Sequence, residues 1–329
     1  MSDVKLTAGY RALIRAQPVL VMMLVLTLGT GGVAYGAEKN GFDLQASLVP
    51  GKRDTAGGPP RDGIPALDRP KFVKAEDASF LEPEDRVLGI RVKGVARAYP
   101  IKILNYHEIV NDRPGGEAVV VTYCPLCGSG MAFAAEVDDS ILTFGVSGLL
   151  YNSDVLLFDR QTESLWSQLS RQAVTGALKG EMLQSLPVTH TTWRDWRERH
   201  PDTDVLSTRT GHIRNYDVDP YPNYGSDGRI YFPVAKEDSR YPRKAIVMGL
   251  EIDGHFKAYP FVELAAGPAR FRDEFKGRAV EIVFDEENQT ASATNDDGNE
   301  LPTVLAFWFA WYAFHPDTAV YQAGATYDN

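Results

Sequence analysis

One stretch of this chain occurs twice. Residues Val87–Pro100 read Val-Leu-Gly-Ile-Arg-Val-Lys-Gly-Val-Ala-Arg-Ala-Tyr-Pro, and residues Val247–Pro260 read Val-Met-Gly-Leu-Glu-Ile-Asp-Gly-His-Phe-Lys-Ala-Tyr-Pro. In each, two apolar runs separated by Gly94 or Gly254 and closed by proline predict a strand hairpin. Further along, Trp193-x-x-Trp196-x-x-x-His200-Pro201-Asp202-Thr203 matches Trp308-x-x-Trp311-x-x-x-His315-Pro316-Asp317-Thr318. Two matched blocks in the same order read as an internal duplication, which limits the fold to two solutions of one unit. The tryptophans have helical spacing, Thr192 with Asp195 supplies a cap, and Pro201 a stop, so a helix is expected over 193–200. The expected class is α+β and β-rich, with two unequal copies of a strand-hairpin plus helix unit.

The copies differ where chemistry is concentrated. In register, Asp112, Gly116, Ala118 and Val119 fall opposite Asp273, Gly277, Ala279 and Val280. Cys124 then falls opposite Asp285, Cys127 opposite Asn288, and His107 near Gly267. The second copy has neither the cysteines nor the histidine, and it lacks roughly the stretch from Ile141 to Gly180. Five segments follow: residues 1–37, a signal peptide or N-terminal anchor; 38–85, a Pro/Gly-rich linker; 86–206, the first unit; 207–245, a Tyr/Pro-rich connector; and 246–329, the shortened second unit.

Lys5, Arg11 and Arg15 precede the apolar run Val19–Leu26, and small residues follow to Ala37. That order describes a secretory signal; the uncharged length from Pro18 to Ala37 also suits an anchor. Both imply an exported, periplasmic or otherwise extracytoplasmic chain. A formal net charge of −10, with no basic run to offset it, argues against nucleic acid as a partner.

Export decides how the two cysteines are read. Two in 329 residues are no disulfide framework. Cys124-Pro125-Leu126-Cys127-Gly128 follows a strand directly, and proline and glycine suit a tight turn that sets the sulfurs side by side. Such a knuckle supplies half of a tetrahedral thiolate site. Gly128 and Gly130 break any helix at the motif, so the helix that lowers a thioredoxin-type thiol pKa is not expected. Three readings stand: a soft-metal site for Cu(I) before Zn(II), a thiol–disulfide redox protein, and a binding module with a minor disulfide whose ligand the tyrosine-rich connector holds.

Metal binding needs more donors than one pair. His107, in Asn105-Tyr106-His107-Glu108, and Met131, which completes C-x2-C-x3-M, are the candidates, with Glu108 and Asp112 placed to orient the histidine. The same residues have structural readings: His107 bonded to a carbonyl, and Met131 filling the core. His200 and His315 recur in both copies and belong to helix ends. Tyr151-Asn152-Ser153-Asp154 is explained by turn chemistry or by lining a pocket. Asp217, Asp219 and Asp227 miss the spacing of a calcium loop. No phosphate loop or nucleophile elbow occurs, so no nucleotide cofactor is expected. The expected partner is an extracytoplasmic protein or a metal donor or acceptor.

Five segments carry a resemblance: Asp62–Asp68 (DGIPALD), Tyr106–Asp112 (YHEIVND), Thr122–Gly128 (TYCPLCG), Gly145–Asp154 (GVSGLLYNSD) and Asp159–Gln168 (DRQTESLWSQ). Together they resemble the prokaryotic domain-of-unknown-function family DUF3179 over nearly all of the chain after the apolar run. The resemblance implies an exported protein of prokaryotic type and supplies no reaction.

Overall fold

The computed structural model describes residues 38–49 and 54–324. The apolar segment read as a signal or anchor lies outside the described residues. No described helix is long and apolar enough to cross a membrane. The described chain is β-rich with few helices: many short strands and four short α-helices.

The two sequence hairpins form with the same register. Arg86–Val92 pairs with Val95–Pro100 from Val87↔Pro100 to Val92↔Val95, and Ile246–Ile252 pairs with His255–Pro260 from Val247↔Pro260 to Ile252↔His255. Their turns, Lys93-Gly94 and Asp253-Gly254, have positive φ at both positions, which fits the right-handed twist of paired strands. Each hairpin leads through a proline into a short helix, α1 (Ile101–His107) or α3 (Phe261–Ala266). Each is also flanked by an antiparallel strand, Thr189–Thr192 or Thr303–Phe307. On the other side lies a short parallel strand, Asp204–Leu206 or Ala319–Val320. Between those flanking strands run α2 (Trp193–Arg199) and α4 (Trp308–Phe314).

The tryptophan helices are seated by glycine. An added Cβ would lie 2.2 Å from the Trp196 ring at Gly89 and 2.1 Å from the Trp311 ring at Gly249. The indole N–H groups donate to Thr203 and Thr318, each at 3.0 Å. Thr192 caps α2 by accepting from Asp195 N–H, whereas the Asp195 carboxylate takes the Thr191 hydroxyl at 2.6 Å. His200 and His315 end their helices with rings against Trp196 and Trp311, at 4.1 and 4.3 Å. Gly89→Ala and Gly249→Ala are each expected to lower stability by about 3 kcal/mol, because neither the ring nor the strand can give way without losing packing. Urea midpoints check this, and a loss below about 0.5 kcal/mol would mean the rings are not seated there.

A second sheet in each half carries the turn of interest. Ile109–Asp112, Val119–Cys124 and Ser129–Ala134 pair in that order, as do Arg270–Phe275, Arg278–Asp285 and Thr290–Asn295. The registers correspond: Asp112↔Val119 with Asp273↔Val280, and Cys124↔Ser129 with Asp285↔Thr290. The two hairpin ends bond across to the opposite half. Phe307 N–H donates to Cys127 O at 2.8 Å, and the Thr192 hydroxyl donates to Asn288 Oδ1 at 2.6 Å.

The first half also holds Phe144–Tyr151, Asp154–Asp159 and Leu165–Ser167 as a sheet, joined at its edge by Asp54–Ala56. Phe144, Val146, Leu157 and Trp166 from this sheet pack in one core with both cysteines. The Pro/Gly-rich segment lies along the first half and is tied down by charge. Arg160 forks onto Asp62 at 2.9 Å for both bonds, and Asn111 Nδ2 donates to Asp68 at 2.7 Å. Three of the resemblance motifs therefore interlock.

Candidate metal centre

Val119–Cys124 is buried at every position, so its last residue enters the core rather than the surface. Pro125 and Leu126 reverse the chain, Cys127 N–H donates to Cys124 O at 3.2 Å, and Gly128 takes φ +62°. Both cysteines are free and buried, at 1% and 0% exposure. The two thiols point at one acceptor, the Ser153 carbonyl, 3.7 and 3.4 Å away.

That carbonyl comes from the tight turn between Phe144–Tyr151 and Asp154–Asp159. Asn152 (φ 51°) and Ser153 (φ 66°) both adopt left-handed conformations, a form in which glycine is the usual second residue. Side-chain bonds hold it. Asn152 Oδ1 accepts from Ala235 N–H at 2.8 Å, and Ser153 Oγ donates to Phe232 O at 2.5 Å. The next residue, Asp154, turns its carboxyl toward the sulfurs. The donor atoms of Cys124, Cys127 and Asp154 all lie within 4.8 Å of one another. Asp154 Oδ2 accepts from Leu169 N–H at 2.9 Å, whereas its buried Oδ1 has no hydrogen-bond partner.

Gln168 locks the cysteine hairpin to this turn. It accepts from Ser129 Oγ at 2.7 Å and donates to Thr122 Oγ1 at 2.8 Å, and the following amide is the one that holds Asp154. Glu108 is also buried near the group, at a C-terminal helix position with φ +57°. Burial, with the Asp154 charge, pushes the Glu108 carboxyl up to about 8. Burial likewise pushes Asp154 up to about 7, while the Leu169 and Val155 amides and the nearby thiols pull it part of the way back. Both thiols are raised, Cys127 well above the usual thiol value, chiefly by burial. Below about pH 7, and without a cation, the group therefore keeps its protons.

The connector covers the pair. Tyr224 OH donates to Leu126 O at 3.1 Å, and Lys244 Nζ sits 3.3 Å from the centre of the Tyr224 ring while pairing with Asp227 at 3.2 Å. Tyr221 lies close enough to Glu108 and Cys124 for their charges to raise its pKa, after burial.

The structure places the sequence candidates unequally. Cys124 and Cys127 come together as expected. Met131 packs in the same core, on the strand paired with Val119–Cys124. His107 is not in the donor group: one ring nitrogen bonds Pro65 O and the other Tyr216 OH, both at 2.7 Å. Those two bonds hold the ring between Pro65 and Tyr216, while Glu108, the next residue with φ +57°, is buried beside Asp154. Asp112 does not orient His107 either; it accepts from Tyr99 OH at 2.7 Å. The sequence points to Glu108 only as an orienter of His107 and to Asp154 only within a turn or pocket lining, and it gives Gln168 no role, although each lies in a motif that it displays.

No curated protein and no solved structure matches the chain. A family model described as a protein of unknown function (DUF3179) matches residues 61–299, most of the chain, and the protein belongs to that family.

Proposed function

We propose that this protein binds one metal ion through Cys124, Cys127 and Asp154, with Zn(II) favoured over Cu(I). The observation that carries the reading is the grouping of two buried thiols with the buried Asp154 carboxyl, whose Oδ1 has no partner in hydrogen-bond geometry although both thiols lie near enough to lower its pKa. Leaving a buried acceptor unmade is costly, and a cation is the partner that satisfies it and both sulfurs together. With Zn–S bonds of about 2.3 Å, a tetrahedral ion sets donor–donor edges of roughly 3.5–3.8 Å, so the group closes on it by about an ångström at most. A carboxylate in place of His107 or a thioether moves the preference from Cu(I) toward Zn(II).

Thiol exchange fits less well. It requires an accessible, acidic sulfur, whereas both thiols are buried with raised pKa values. A bound cation reverses that electrostatic penalty by stabilising the thiolates.

The two halves, whose strand orders correspond apart from an extra edge strand in each sheet of the first, are read as copies of one unit in which only the first holds the ion. At the corresponding turn of the second, Asn288 Nδ2 donates to Asp285 Oδ2 at 2.8 Å, so that carboxylate already has a partner. The N-terminal apolar run supports export, which would load the site outside the cytoplasm. Protein purified under reducing conditions without chelator is expected to carry about one zinc per chain by elemental analysis. Metal-free protein that takes up none from excess Zn(II) would remove the reading.

A further inference from the structure

A cavity of about 510 Å3 opens beside the DGIPALD segment, lined by Asp68, Arg69, Lys71, Thr210, Gly211 and His212. Arg209 and Arg214 flank it in sequence, and Arg214 is close enough to act electrostatically on His107 and Tyr216. Asp68, the one carboxylate in the lining, is engaged by Asn111 at 2.7 Å and by Arg160 at 3.5 Å. Among the described residues no carboxylate pairs with Arg69, Lys71, Arg209 or Arg214, and Arg214 bonds the neighbouring Ile213 carbonyl at 3.0 Å. This concentration of unpaired cations stands on a chain of net charge −10.

At the loop tip, between His212 and Arg214, Ile213 is 98% exposed, and Val218 is 54% exposed just beyond. The loop has a fixed base. Thr210 bonds Tyr216 OH, Tyr216 bonds His107, and His107 bonds Pro65 O, each at 2.7 Å. A lone exposed apolar residue needs no explanation. Asp217 and Asp219 flank Val218, with Asp217 facing Lys102 at 3.5 Å, so the acidic end of the segment lies past the tip. An apolar tip on a tethered loop that carries Arg209 and Arg214, beside a cavity lined by Arg69 and Lys71, has the chemistry of a bilayer interface. Cations take lipid phosphates there while the apolar side chain enters the acyl boundary. A small anion would occupy the cavity and leave Ile213 unused, and nucleic acid needs a longer basic track.

We propose that residues 208–218, with Arg69 and Lys71, form a docking surface for an anionic phospholipid membrane. The test uses the full chain and two vesicle types, pure phosphatidylcholine and phosphatidylcholine with about a third phosphatidylglycerol. Lys5, Arg11 and Arg15 ahead of the N-terminal apolar run add the same anionic preference to the wild type and to every variant, so the surface is read from the difference between them. The full chain is expected to prefer the anionic vesicles by about tenfold or more, and less as salt rises. Arg69→Glu with Lys71→Glu and Arg214→Glu should cut the preference by about tenfold relative to the wild type. Ile213→Asp should weaken anionic binding by about threefold or more, and Ile213→Leu should keep it. All four positions are exposed, so unchanged circular dichroism and thermal midpoint are expected in the variants. Equal partitioning of the wild type, a preference undiminished by the charge reversals, or full displacement by inorganic phosphate at matched ionic strength would overturn the proposal.

Discussion

Cys124→Ser is expected to lower the affinity of the reduced protein for Zn(II) by about a hundred- to a thousandfold, and Cys127→Ser to do the same. Structural zinc sites in small peptides draw about 10–16 kcal/mol from four donors, so one thiolate accounts for roughly 3–4 kcal/mol. The two sulfurs share one turn and one acceptor carbonyl, so neither can be replaced by its neighbour. A hydroxyl at either place fits the space but remains protonated and binds the ion weakly. Competition against a chromophoric chelator measures the change. A loss smaller than about tenfold in either variant would show that its sulfur is not a ligand.

Asp154→Asn should act in opposite directions on the metal-free and metal-loaded protein. Asp154 is pushed up to about 7 in the folded chain, from an ordinary value of 3.8. Between those values the folded protein holds a proton that the unfolded chain has released. This contribution to stability is therefore fully present below the ordinary value and is lost as pH rises toward 7. Glu108, pushed up to about 8, adds a dependence of the same sign. Asparagine removes the Asp154 part, so metal-free Asp154→Asn is expected to be more stable than wild type at pH 8 by about 2–4 kcal/mol, with little difference near pH 4. With zinc in excess the order reverses, because the wild type gains binding free energy that the variant largely lacks. Thermal midpoints at the two pH values, with and without zinc, show both effects. A metal-free variant less stable than wild type at pH 8 would mean that the carboxylate is satisfied without a cation.

Much of the frame is legible in local sequence patterns. The strand hairpins and the tryptophan helix with its Thr192 cap rest on nearest-neighbour chemistry, and they form as read. The cysteine turn is legible for the same reason, since four consecutive residues determine it. Asp154 was not, because its approach to the sulfurs depends on the Phe144–Tyr151 and Asp154–Asp159 strands packing over the cysteine hairpin. Tyr151-Asn152-Ser153-Asp154 looks like an ordinary turn, and the clue was a serine where the backbone conformation favours glycine. His107 lies near the cysteine strand in sequence but not among the donors in space. Pro65 O and Tyr216 OH, both distant in sequence, hold the ring elsewhere. Gln168 carried no signal of its own, since its role appears only when Thr122 and Ser129 are brought together across paired strands.

The central claim, one ion held by two thiolates and a carboxylate, is tested most directly by titrating Co(II) into the reduced, metal-free protein. Co(II) takes zinc's tetrahedral sites, and its spectrum reports the donors. The account predicts a sulfur-to-metal charge-transfer band in the near ultraviolet, with intense visible bands, rising to a break at about one equivalent. Both should vanish in the Cys124→Ser/Cys127→Ser double variant, while Asp154→Asn keeps the charge transfer with weaker binding and altered visible bands. No charge-transfer band in the wild type, or the same spectrum from the double variant, would contradict it.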